Sequence, residues 1–200
     1  MLYKIAKYAL AIILYPLYRI KVIGKENIPK EGPVLICSNH ISNFDPPVVG
    51  ITSRRDIYFM AKGELFENRV LGGLLTGIHA FPVRRGLADR NALRKGLEIL
   101  KEGKTVGLFP EGTRSKTEEI GDPLAGAGFF ALRSEAAVVP CAIIGPYQKF
   151  KRLTVIYGKP LDMEYYRTSK KSAKETADAI MTEIKKLKEN YQNQITLLDK

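Results

Sequence analysis

The chain has 200 residues, which sets the expectation of one domain with a core large enough to fold on its own. Apolar residues make up 45% and charged residues 26%, an ordinary globular mixture that excludes a mainly disordered chain, a collagen and a polytopic membrane protein. The 32 basic side chains exceed the 21 acidic ones by 11, a balance that favours anionic partners: nucleic acid, anionic lipid headgroups or a phosphorylated substrate.

The first segment, Met1 to Ile20, carries eleven uncharged residues from Tyr8 to Tyr18 between Lys7 and Arg19. As a helix these cover roughly 16 Å, about half of a ~30 Å hydrocarbon core, so the segment is too short to span. A signal peptide needs small residues at its cleavage site, and Tyr15-Pro16-Leu17-Tyr18-Arg19 are bulky. A core helix and an interfacial anchor remain. Lys4, Lys7, Arg19, Lys21 and Lys25, with Tyr3, Tyr8, Tyr15 and Tyr18, suit the headgroup region of an anionic membrane.

Arg19 to Gly24 reads as a strand and Asn27 to Gly32 as a loop. Pro33 to Ser38 is a short, fully apolar strand of the kind buried in a sheet covered on both faces. Asp45-Pro46-Pro47 opens a helix, with Asp45 as its N-cap. Asp56 to Met60 is a strand, Asn68 to Gly77 a short helix, and Ala80 to Val83 a strand. Asp89 to Glu102 is an amphipathic helix ended by Gly103. Thr105 to Phe109 (strand), Leu124 to Glu135 (helix), Val138 to Ile144 (strand) and Leu153 to Tyr157 (strand) follow, and Lys170 to Tyr191 is a basic amphipathic helix. This alternation implies a single α/β domain with a largely parallel mixed central sheet flanked by helices, residues 21–200, preceded by a helix over residues 1–20 that is either a core helix or a membrane-associating helix. Cys37 and Cys141 both lie in apolar runs and read as reduced core residues of an intracellular protein. With only His40 and His79 beside them, a structural zinc site has too few ligands.

In such sheets ligands sit beyond the carboxyl ends of the strands, and the polar signals fall in those loops. The first loop places His40 at a strand end and Asp45 five residues on. Neutral histidine is a good base near pH 7, and a carboxylate on one ring nitrogen leaves the other free to take a proton. Alone, the pair also reads as a helix-capping Asp and a polar strand-end His. The second loop, Phe81-Pro82-Val83-Arg84-Arg85-Gly86, offers two guanidinium groups suited to phosphate, or a solvated basic turn. The third, Phe109-Pro110-Glu111-Gly112-Thr113-Arg114-Ser115, combines a carboxylate, a glycine free to take positive φ, two hydroxyls and an arginine. Arg114 with the Thr113 and Ser115 hydroxyls can hold a phosphate, and Glu111 can orient an arginine or a substrate hydroxyl. Neither a Walker A loop nor GxGxxG occurs, so nucleotide binding has no support.

These segments, with Val139-Pro140, occur in the order and approximate spacing of the four blocks of the glycerolipid acyltransferases, and the chain resembles the short bacterial lysophosphatidic acid acyltransferases of that family. Met60-Ala61-Lys62-Gly63-Glu64-Leu65-Phe66 also resembles the family's stretch between the first two blocks, and the resemblance covers residues 20–160. Cys141 departs from the small or apolar residue expected after Val-Pro. The resemblance implies transfer of an acyl group from acyl-CoA or acyl carrier protein to the sn-2 hydroxyl of lysophosphatidic acid, giving phosphatidic acid, in phospholipid biosynthesis. It implies His40 as general base and Asp45 as its orienting partner. Lys62, Arg84 and Arg114 would bind the acceptor phosphate, with Glu111, Gly112 and Thr113 shaping that site. It implies no metal and no cofactor, and a peripheral or monotopic place on the cytoplasmic face of the cell membrane. Rival readings are the same chemistry on another lysolipid or on glycerol 3-phosphate, thioester hydrolysis, a non-catalytic membrane-surface protein, and a nucleic-acid-binding module. The last lacks any RNP, KH, zinc-finger or helix-turn-helix pattern.

Overall fold

The computed structural model describes residues 1–84, 89–115 and 119–198. The apolar N-terminal stretch forms α1 (Leu2–Leu17), which turns into β1 (Lys21–Ile23). The apolar run after it is β2 (Val34–Ser38), buried at every position. Then come α2 (Asp45–Thr52), β3 (Ile57–Lys62), α3 (Arg69–Gly77) and β4 (Ala80–Val83). The chain continues through α4 (Arg90–Lys101), β5 (Thr105–Leu108), α5 (Gly126–Arg133), β6 (Ala137–Ile144), β7 (Thr154–Tyr157), α6 (Glu164–Thr168) and α7 (Ala173–Leu198).

The seven strands form one sheet in the order β1-β7-β6-β2-β5-β3-β4. The five from β6 to β4 run parallel, β7 is antiparallel to β6, and β1 is parallel to β7. The single, largely parallel mixed sheet flanked by helices is therefore the architecture. Alternation along β2 divides the core. Leu35 and Cys37 pack with Ile99 of α4, Phe130 of α5 and Ile180 of α7 on one face. Val34 and Ile36 pack with Leu14 of α1 and Val48 of α2 on the other.

Three elements differ from the sequence reading. The helix expected over Leu124 to Glu135 is shorter, Gly126–Arg133, and leaves Leu124 exposed in the loop before it. The last helix begins at Ala173 and runs on to Leu198, and the short α6 before it was not anticipated. Asp45 is not the N-cap of α2: Phe44 precedes the helix, no side chain caps it, and prolines follow at the first positions. Prolines there lack an N–H for a capping carboxylate to hold, and Asp45 turns back toward the preceding loop.

The N-terminal helix buries one face in the domain and leaves apolar side chains exposed on another. Tyr3 and Leu14 are buried in the domain, and the Tyr3 hydroxyl accepts the Ile57 N–H at 2.9 Å. Ile5, Tyr8, Ile12 and Ile13 are exposed. Among the described residues no helix is long and apolar enough to cross a membrane.

Candidate active site

The loop after β2 leads to α2 on one face of the sheet, and the loop after the neighbouring β5 leads to α5 on the other. Where adjacent connections part in this way, a crevice opens at the carboxyl edge of the sheet. Strand register fixes what faces it. Cys37 of β2 is level with Leu108 of β5, Gly107 with Phe59 of β3, and Met60 with Phe81 of β4. Three residues beyond that common level stand His40, Glu111, Gly63 and Arg84. The sheet thus brings the first, second and third loops to one edge, and Lys62 one residue lower.

His40 is the best-defined of these. Its Nδ1 lies 2.7 Å from Asp45 Oδ2, and the Asp45 side chain is wholly buried while the imidazole keeps 11% of its surface exposed. The same oxygen accepts the backbone N–H groups of Ile41 at 2.7 Å and Ser42 at 2.8 Å. Oδ1 accepts the Tyr147 hydroxyl at 2.6 Å. With both backbone donors and Tyr147 supplying protons, the carboxylate is an acceptor toward the ring. Nδ1 therefore carries the hydrogen, and Nε2 presents a lone pair. The ring also stacks on Phe109, centroids 4.2 Å apart.

The third loop holds the backbone of His40. Glu111 Oε1 accepts the His40 N–H at 2.8 Å, and the Ser115 N–H donates to the His40 carbonyl at 2.8 Å. The second Glu111 oxygen accepts the Gly121 N–H at 3.0 Å. Glu111 thus ties backbone to backbone. Gly112 takes a left-handed turn at φ 68° that closes the loop with its N–H on the Phe109 carbonyl, and a Cβ there would meet Leu124 Cδ1. On the other flank Asn39 reads the β6 backbone like a strand residue: it accepts the Ile143 N–H at 2.7 Å and donates to the Ile143 carbonyl at 3.0 Å.

The cations are arranged around this buried pair. Thr113 and Arg114 are exposed just past Glu111. Arg84 is exposed, and its N–H donates to Asp89, the N-cap of α4. Lys62 is exposed and ion-paired to Glu64 at 3.4 Å. Three strand spacings separate β2 from β4, so the backbones of His40 and Arg84 are about 14 Å apart. Arg85 lies outside the described residues. Among the described residues no cluster of three or more His, Cys, Asp or Glu could hold a metal. The cysteines are not nucleophiles here: both are fully buried, and burial pushes the Cys37 thiol up and the Cys141 thiol up to about 12.

Sequence reasoning missed Tyr147 and the role of Asn39. Tyr147 is 102 residues from Asp45 in a loop without a motif, and only the fold brings it there. Asn39 precedes His40 and was legible as part of the loop, but its partner strand was not.

A buried His40–Asp45 pair thus stands at the carboxyl edge of the sheet, and the exposed Arg84 and Arg114 belong to loops that leave the same edge. A family model described as acyltransferase matches residues 19–144. The chain is 35% identical, over 97% of its length and all of the relative, to the 1-acyl-sn-glycerol-3-phosphate acyltransferase of Bacillus subtilis (strain 168). It is 33% identical, over 70% of its length and 40% of the relative, to the chloroplastic 1-acyl-sn-glycerol-3-phosphate acyltransferase LPAT1 of Arabidopsis thaliana. The crystal structure of the LPA acyltransferase PlsC from Thermotoga maritima superposes with a TM-score of 0.71 at 24% identity, covering 93% of this chain and 78% of that one, a likeness of fold. The chain belongs to the acyltransferase family.

The Glu111 ties make a stability prediction. Glu111→Ala leaves the buried His40 N–H without its acceptor, at about 1–3 kcal/mol, while the exposed Gly121 N–H can turn to water. Denaturant unfolding is expected to show that loss, with activity falling more than the folded fraction. Unchanged stability would mean that water replaces the carboxylate and that the loop is held elsewhere.

Proposed function

We propose that this protein is a 1-acyl-sn-glycerol-3-phosphate acyltransferase, moving an acyl group from acyl-CoA or acyl carrier protein to the sn-2 hydroxyl of lysophosphatidic acid. The observation that carries this reading is the free Nε2 of His40, held in place by the Nδ1–Asp45 contact of 2.7 Å. The relatives' names supply the acceptor and the reaction class.

In this reading the acceptor hydroxyl attacks the thioester carbonyl directly. His40 Nε2 takes the hydroxyl proton as the new C–O bond forms, and Asp45 stabilises the resulting imidazolium. The tetrahedral intermediate collapses, the C–S bond breaks, and the imidazolium returns the proton to the departing thiolate. No enzyme nucleophile is needed, and the buried cysteines are unsuited to be one. Arg114 and Arg84 grip the phosphate of the acceptor, Lys62 adds charge once freed from Glu64, and Thr113 and Gly112 let the lipid headgroup approach the backbone.

The same reading makes residues 1–20 the membrane-associating helix and residues 21–200 the catalytic domain. Two exposed apolar surfaces support it. On α1, Ile12 is 76% exposed, and on α3, Val70 is 83% exposed beside Leu71 and Leu74. The helices that carry them touch where α3 ends and α1 begins, since a Cβ on Gly77 would meet the Leu2 side chain. Lys4 and Arg69 flank them with the positive charge that an anionic cytoplasmic leaflet attracts.

Three outcomes test these statements. Purified protein is expected to release thiol from acyl-CoA or acyl carrier protein only with lysophosphatidic acid present, and His40→Ala is expected to lower that rate by about 10²–10⁴-fold while remaining folded. Acceptor-independent release would make the protein a hydrolase, and near-normal turnover in folded His40→Ala would remove the histidine from the chemistry. Arg114→Ala and Arg84→Ala are expected to raise the KM for lysophosphatidic acid by roughly one to two decades with little change in donor KM. Equal losses for both substrates would make the arginines structural. In sedimentation with anionic vesicles, Ile12→Asp and Val70→Asp are each expected to weaken binding. Undiminished binding by both would place the membrane contact elsewhere.

A further inference from the structure

We propose that Tyr147 is a positioning residue of the catalytic dyad, setting both the geometry and the proton affinity of the His40–Asp45 pair; this rests on His40 acting as general base. Asp45 is fully buried, so the distribution of donors on its two oxygens decides how strongly it pulls on the imidazole. Oδ2 is shared by His40 Nδ1, the Ile41 N–H and the Ser42 N–H. Among the described residues the Tyr147 hydroxyl alone holds Oδ1, at 2.6 Å. It is the only one of the four partners contributed by a segment outside the 40–45 loop.

Two consequences follow from that placement. First, Tyr147 ties the carboxylate to the segment after β6, whereas the Oδ2 bonds all tie it to its own loop. Second, it withdraws charge from Asp45 through a short hydrogen bond. A carboxylate relieved of some charge holds the imidazolium less tightly. The phenol is suited to this task. Burial, and then the facing Asp45 carboxylate, push Tyr147 well above the ordinary tyrosine range, so it stays a donor wherever the protein is folded.

Packing holds the phenol against Asp45. The Tyr147 ring meets Tyr18 edge-on at 5.3 Å and lies nearly parallel to Phe44 at 6.2 Å. Tyr18 ends the N-terminal helix, and Phe44 stands half-exposed immediately before Asp45. The other titratable groups around the pair are Tyr18, Cys141 and Glu111. Glu111 is on the far side of His40, engaged with backbone N–H groups. Neither it nor Cys141 loses a partner when the Tyr147 hydroxyl is removed.

Tyr147→Phe deletes the donor and keeps the ring that packs on Tyr18 and Phe44. In an acyl-transfer assay the expected result is a fall in kcat of roughly 10-fold with both KM values within about twofold. The acidic limb of the kcat/KM profile is expected to move to higher pH, because the carboxylate that has lost a donor retains the imidazolium more strongly. Tyr18→Phe, whose hydroxyl does not bond Asp45, is expected to leave that limb in place. A folded Tyr147→Phe protein with an unmoved acidic limb overturns the proposal, even if its thermal stability has dropped, since a purely structural tyrosine lowers the active fraction at all pH values alike. If His40→Ala retains turnover, it is the general-base reading itself that has failed.

Discussion

Asp45 is a carboxylate with no access to water, and the site is built around satisfying it. An unpaired buried carboxylate is unfavourable by several kcal/mol, so a fold that contains one must supply donors in fixed positions. Here they come from the His40 ring, two successive backbone N–H groups and a phenol from beyond β6. That requirement determines the path of the loop. Residues 40–42 must curl over the start of α2, and this curl is what brings a histidine five residues upstream into line with the aspartate.

The curl is then locked from both sides. Glu111 and Ser115 hold the two backbone polar groups of His40, and Asn39 is stitched to Ile143 of β6. Three separate chain segments therefore converge on one residue, at the point where connections leave the sheet in opposite directions. Rigid support of this kind is what general-base catalysis needs, because a small misplacement of the accepting nitrogen is costly to rate. Lys62, Arg84 and Arg114 lie outside that lock and stand exposed at the rim.

Much of this was legible in the sequence, for identifiable reasons. Short apolar runs such as Val34–Ser38 and Thr105–Leu108 mark buried strands because both of their faces are covered. Asp89, read as the first residue of its helix, is the N-cap of α4, its side chain accepting the Asn91 and Ala92 N–H groups. Asp45 looked the same and is not: its neighbours Pro46 and Pro47 carry no N–H, so the carboxylate serves the loop behind it. Glu111 looked like an arginine partner because its backbone partners, His40 and Gly121, are set by strand register and loop closure. Tyr147 gave no signal, since its meaning lies in a contact across 102 residues. Strand order was hidden for the same reason; periodicity reports which face of a strand is buried and says nothing of its neighbour.

The arrangement also explains why the N-terminal helix belongs to the domain. Its end, Tyr18, packs on Tyr147 and Phe44, so the helix with the exposed apolar face reaches the residues that hold Asp45. The central claim is that Asp45 fixes one tautomer of His40, leaving Nε2 as the base. Two-bond nitrogen–proton correlation spectra of the wild-type protein test it directly, because the chain has only two histidines and His40→Ala identifies the relevant signals. At a pH where the ring is neutral, the account predicts a proton on Nδ1 of His40 and an unprotonated Nε2. A proton on Nε2, with Nδ1 bare, would contradict it.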